Sequence, residues 1–228
     1  MTEQRLARRA AILEAARQMI AERGYEAVTV RDLAEICRVS VPTLYNQFGG
    51  KDQLLAAAIE EHFLFALDGA LIQQTAPGFE RLLIIIDQCA DQLLNVPRYH
   101  QRLLEAFASL TSTLQIQERI AQGLSSAIAT ELETMAGKRQ VLPWTSPVQL
   151  AGQMTTACIG TAIQWSAGVI ADELLKAQMR YALGLVVFGV ARGAARTRLE
   201  SQIQTAQEQI DAAPILKPVA QRGKNGAS

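Results

Sequence analysis

The residues best suited to do chemistry lie between Thr29 and Lys51. Val41, Pro42, Thr43, Asn46 and Gln47 fall on one side of a helix that Ser40 is placed to cap, while Leu44 and Phe48 share the other side at i, i+4. Short or polar side chains at the leading end of a helix suit the major groove of DNA, whose floor presents donors, acceptors and thymine methyls. That chemistry is recognition rather than bond making. Groups that could catalyse are poorly arranged. Glu60-Glu61 and Glu131 with Glu133 are too close in sequence to face each other from one helix, so neither is an acid pair. His62 and His100, the two histidines, have no Cys, Asp or Glu at a metal-ligating spacing and read as surface or satisfied core residues. No Gly-rich phosphate loop, nucleophile elbow or HExxH is present. The expectation is therefore no catalytic residue, no metal, no cofactor and no enzyme activity.

Positioning the recognition side chains requires short helices on a small core. From Glu3 to Arg23 the apolar residues Ile12, Ala15, Ala16, Met19 and Ile20 recur at helical spacing, and Gly24-Tyr25 ends that helix. Thr29 then caps a second helix of about two turns, with Asp32 in its first turn and Val30, Leu33, Ala34 and Cys37 buried. After Arg38-Val39 the third helix starts at Ser40, with Pro42 where a missing N–H matters little, and Gly49-Gly50 stops it. A long helix runs from Lys51 into the remainder of the chain. Breaks at 76–78, 96–97, Gly137 and 143–147 divide that remainder into helices, the last two spanning roughly 147–170 and 172–211. The fold class is all-α. It comprises a three-helix DNA-binding domain with a helix-turn-helix over 1–50 and a larger helical domain over 51–212. A disordered, weakly basic tail over 213–228 completes it.

Charge gives no help. The 228 residues carry 22 basic and 22 acidic side chains, and the first 60 carry eight of each, so any DNA contact comes from placement and not from excess. Cys37, Cys89 and Cys158 lie far apart without a CxxC, which fits a reducing, cytoplasmic setting and small core residues better than a disulfide framework. The start MTEQRLARRA lacks the apolar core of a signal peptide. The longest apolar run, Tyr181 to Ala191, is too short for a membrane span, so a bacterial, nucleoid-associated location without membrane contact is expected.

The segment ILEAARQMIAERGYEA followed by VTVRDLAEICRVSVPTLYNQFGGKDQLL resembles the DNA-binding domain of the TetR family over roughly residues 8–56. Ala15-Ala16, Gly24-Tyr25, Leu33-Ala34, Val39-Ser40, Thr43-Leu44-Tyr45, Phe48 and Lys51-Asp52 all stand at the family's spacing. The resemblance implies that Tyr45, through its hydroxyl, and Lys51, as a point charge, bind phosphates and set register. It further implies that Arg31 reaches a base edge or phosphate, that Val41, Pro42 and Thr43 meet thymine methyls, and that Asn46 contacts adenine or phosphate. The caps Thr29 and Ser40 complete this DNA-binding set. One residue departs from the pattern. Where the family commonly has glycine in the turn, this chain has Arg38, which in a left-handed conformation costs on the order of 1–2 kcal/mol and adds a charge beside the groove.

Beyond residue 56 the resemblance implies architecture but not ligand: a helical ligand-binding and dimerisation domain over 51–212. Two-fold dimers of this type pair their last two helices, and here those carry Gly160, Ala162, Gly184, Val187, Phe188 and Ala191, which permit close packing. A homodimer would set two recognition helices one DNA turn (~34 Å) or a multiple apart, over a palindromic operator in double-stranded DNA. Gln92, His100, Phe107, Met154 and Trp165 are the candidate lining of an effector pocket. The expected function is a repressor released by a small-molecule effector. An activator or effector-independent regulator is the alternative, and a small-molecule-binding protein or enzyme without DNA function is a more distant one.

Overall fold

The computed structural model describes residues 3–65, 75–109 and 114–213. Ten helices occupy them: α1 Glu3–Arg23, α2 Val30–Ile36, α3 Val41–Phe48, α4 Lys51–Phe65, α5 Phe79–Asn95, α6 Pro97–Ser109, α7 Leu114–Gly137, α8 Pro147–Ser166, α9 Asp172–Phe188 and α10 Gly193–Asp211. Of the expected tail only Ala213 is among the described residues, and the side chain of Phe107 lies outside them.

Two buried clusters organise the chain. The first joins Ile12, Leu13, Ala16, Met19 and Ile20 of α1 to Val28, Leu33, Ala34 and Leu44, and then to Leu54, Leu55, Ala58 and Ile59 of α4. It extends to Leu103 and Ala106 of α6, so the first two turns of α4 and one face of α6 share a core with the three N-terminal helices, together called the head. The second cluster forms the body, from Phe79 and Leu82 through Met135, Met154, Trp165 and Met179 to Ile203. Cys158 lies inside it and Cys89 packs against it.

The expected single helix over 172–211 is two. Between α9 and α10 the chain leaves the helix at Gly189, and Val190 and Ala191 pair with the segment after α7: Leu142 N–H donates to Val190 O at 2.8 Å and Arg192 N–H to Gln140 O at 2.7 Å. Gly193, at φ 56°, then admits the turn into α10. Apolar spacing continues unbroken through this break, because the bonds that end the helix come from residues fifty positions earlier.

The small residues proposed for the dimer are largely used within one chain. A Cβ on Gly184 would stand 2.8 Å from Ile203 Cγ1, so this glycine lets α10 lie close on α9. Ala162, Val187 and Ala191 are buried in the body, whereas Gly160 faces open space. Among the described residues no helix is long and apolar enough to cross a membrane.

Candidate nucleic-acid interface

The site is built on two capped helices held at a four-residue turn. Thr29 Oγ1 accepts from Asp32 N–H at 3.1 Å, and Ser40 Oγ accepts from Thr43 N–H at 3.3 Å while lying 2.7 Å from Thr43 Oγ1. Each cap satisfies a backbone donor that the helix leaves unpaired, worth about 1 kcal/mol. Both hydroxyls are thereby engaged inside the protein.

Helix α2 ends in a Schellman arrangement: Arg38 N–H donates to Glu35 O at 3.1 Å and Val39 N–H to Ala34 O at 2.9 Å. This geometry forces a left-handed residue, and Arg38 sits there at φ 53°. Val39 packs onto the head core, which holds the turn in spite of the strain. The same device recurs at Arg139, φ 57°, beyond α7, and at Gly168, φ 73°, beyond α8. The turn is therefore not reshaped to suit arginine.

In α3, Leu44 is buried and anchors the helix, while Pro42, Tyr45, Asn46 and Gln47 are exposed and Val41 and Thr43 are half-buried. Tyr45 is 49% exposed, a large aromatic in water with no intramolecular role that burial would explain. Arg31, on α2, is exposed as well. Phe48, expected inward, is half-buried beneath the guanidinium of Arg9 at 4.8 Å from its ring centroid.

Lys51 has partners within the chain. Its Nζ donates to Glu26 O at 3.0 Å and lies 5.5 Å from the centroid of the Tyr25 ring. A cation at a helix start is unfavourable to the helix dipole, and these two contacts offset that without any phosphate. Tyr25 in turn donates to Asp52 Oδ1 at 2.8 Å. Burial, then the bond to Asp52, pushes the phenol well above its usual range, so it stays protonated as a donor. The α1–α2 loop is thus tied to the start of α4.

The candidate pocket residues do not share one environment. Met154 and Trp165 are fully buried in the body core, and the Trp165 indole N–H donates to Asp172 at 2.8 Å. Gln92 is half-buried on α5. His100 is buried against His62, with the two Nε2 atoms 3.0 Å apart. A small cleft of about 30 Å³ is lined by Leu83, Ile86, Asp87, Arg180, Gly184, Leu199 and Gln202, none of them among the five. Its wall is held by Arg180, which grips Asp87 through two bonds of 2.6 Å.

Three features escaped sequence reasoning. Arg17 is buried, donating to Ala58 O at 3.0 Å and to Glu14 at 2.7 Å. The histidines meet although 38 residues apart. Cys89 and Cys158 are neighbours, and the Cys89 thiol together with burial raises the Cys158 thiol. Each joins residues distant in sequence, and no local pattern announces it.

Residues 12–58 match the family of bacterial regulatory proteins described as the tetR family. Over 78 residues the chain is 32% identical to the HTH-type transcriptional regulator YvkB of Bacillus subtilis, covering 34% of this chain and 40% of that protein. Over 79 residues it is 39% identical to the HTH-type transcriptional repressor KstR2 of Mycobacterium tuberculosis, covering 33% and 38%. The matched part is thus about two-fifths of each relative's length. In solved structures the fold is similar to that of the transcriptional regulator FadR from Bacillus subtilis, in complex with stearoyl-CoA. There the TM-score is 0.59 at 23% identity, over 77% of this chain and 96% of that one.

Proposed function

We propose that this chain is a member of the tetR family of bacterial regulatory proteins and a homodimeric repressor that binds a palindromic operator and leaves it when a small molecule binds the body. The observation that carries the reading is α3: its buried Leu44 fixes it to the head, and Tyr45, Asn46 and Gln47 project from the other side into solvent. Val41, Pro42 and Thr43 at its start read base edges, Tyr45 and Asn46 hold backbone or base, and Arg31 reaches in from α2. Thr29 and Ser40 act by fixing the two helix starts. Lys51 reaches a phosphate by exchanging the Glu26 carbonyl for it.

Self-association uses the outer surface of α8 and α9. Val148 is 64% exposed and Leu185 44%, and the bridge between Val141 and Ala191 ties the segment carrying Trp144, 74% exposed, to the end of α9. Helix α10 contributes less, because its apolar stripe of Ala195, Leu199, Ile203 and Ala206 is buried within the chain. That the FadR structure holds stearoyl-CoA, and that another similar structure is a gamma-butyrolactone receptor, supports an apolar effector here. A head–body equilibrium responds to such a ligand only by its differential affinity for the two postures.

Selection of bound fragments from randomised DNA tests the reading. Enrichment of an inverted repeat supports a dimer on a palindrome; enrichment of no motif contradicts it.

A further inference from the structure

A chain of polar contacts crosses the junction between head and body. On α1, Arg17 holds Glu14 and donates to the carbonyl of Ala58, in α4. One turn further along α4, His62 meets His100 of α6, and His100 Nδ1 lies 3.0 Å from Leu93 O and 3.1 Å from Val96 O at the end of α5. Tyr99 stands edge-on to both imidazoles, at 5.5 and 5.2 Å. Carbonyl oxygens only accept, so His100 Nδ1 carries hydrogen. Neutral His100 then has a bare Nε2, and the 3.0 Å contact requires His62 to donate from its own Nε2. The geometry therefore specifies both tautomers.

We infer that the His62–His100 hydrogen bond is a proton-sensitive latch that holds the recognition head against the body, and that protonation of His100 opens it. His100 can gain a proton only at Nε2, the atom that accepts from His62, since Nδ1 already bears one. Two N–H groups would then face each other at a distance suited to one hydrogen. The groups facing the pair are Glu14 and Arg17 from α1, Tyr99 from α6 and the carbonyls ending α5. Burial lowers His100, and burial with the His100 and Arg17 charges brings His62 to about 4, against an ordinary value of 6.5. A value depressed in the folded state means that the unfolded chain takes the proton first. The latch's contribution is therefore fully present above the ordinary imidazole value of 6.5 and falls as pH drops through that value toward the lower folded-state value of His100. This bears on DNA release through the function proposed above, so its test is divided.

Imidazole ¹⁵N spectra at pH 7.5 should show His100 protonated at Nδ1 and His62 at Nε2. The reverse pattern, or one requiring a bound metal, overturns the latch. On acidification from pH 7.5 to 5 the wild-type melting temperature should fall more than that of His62→Gln, whose amide donates to neutral His100 and can turn its carbonyl to accept from His100 once Nε2 is protonated. Equal falls overturn it. Operator affinity of the wild type should drop roughly fivefold or more over that range, the low end of allosteric coupling. Protonation alone should strengthen attraction to phosphate, so a drop marks the latch and a rise contradicts it. Correct tautomers and melting without any selective DNA binding would leave the latch standing and overturn the functional proposal instead.

Discussion

Helix α3 buries one residue of eight, Leu44, whereas α9 buries Leu175, Ala177, Met179, Leu183, Gly184 and Val187 out of seventeen. The short helix has too few contacts to be stable alone and is held by its cap, its turn and a single anchor. The body helix is fixed by packing on several sides. An element designed to meet a partner keeps its side chains out of its own core. An element that transmits a ligand's effect must be packed, because only a packed element has distinct alternative arrangements.

The contrast can be broken most strongly at the anchor. Leu44→Ala should destabilise the head by about 2–5 kcal/mol, measured by chemical denaturation, while Tyr45→Ala, one residue on, should stay within about 0.5 kcal/mol of wild type. Equal losses at both positions would show that Tyr45 is a core residue. In the body, Gly184→Ala forces a Cβ to within 2.8 Å of Ile203 and should cost about 1–3 kcal/mol, seen as a lower melting temperature. Gly160→Ala meets nothing within 4 Å in the single chain and should stabilise by about 0.5–1 kcal/mol. A loss of dimer there, by sedimentation, would place Gly160 in the subunit contact. Ser40→Ala removes the α3 cap and should cost about 1 kcal/mol. Arg38→Gly relieves the left-handed strain and, less the added chain entropy of glycine, should raise stability by about 1 kcal/mol. Weaker operator binding in that variant would show that the arginine touches phosphate, and unchanged affinity would reject that contact.

The head was legible in the sequence because its signals are local. Thr29 and Ser40 stand three residues from the amides they accept from, Gly24 and Gly49 mark the helix ends, and the apolar stripe of α1 lies within two turns. Because the family commonly has glycine where this chain has Arg38, a left-handed position was legible there too, and its φ is 53°. The body was less legible. Apolar residues recur on several faces of α8 and α9, so periodicity cannot say which face meets which neighbour. The break at 189–192 depends on pairing with 140–142, and the burial of Arg17 on Ala58 O, 41 residues away. Lys51 shows the limit within the head itself. The conflict with the helix dipole was readable, but the Glu26 carbonyl and Tyr25 ring that resolve it come from another loop.

The central claim is that α3 presents a DNA-reading face that the fold leaves unused. Fluorescence anisotropy at near-physiological salt, on the selected operator and on scrambled DNA, tests it with wild type and the stable Tyr45→Ala variant. The account predicts tight, sequence-selective binding by wild type and its loss in the variant. Binding that is equal on both DNAs, or unchanged by removal of Tyr45, would contradict it.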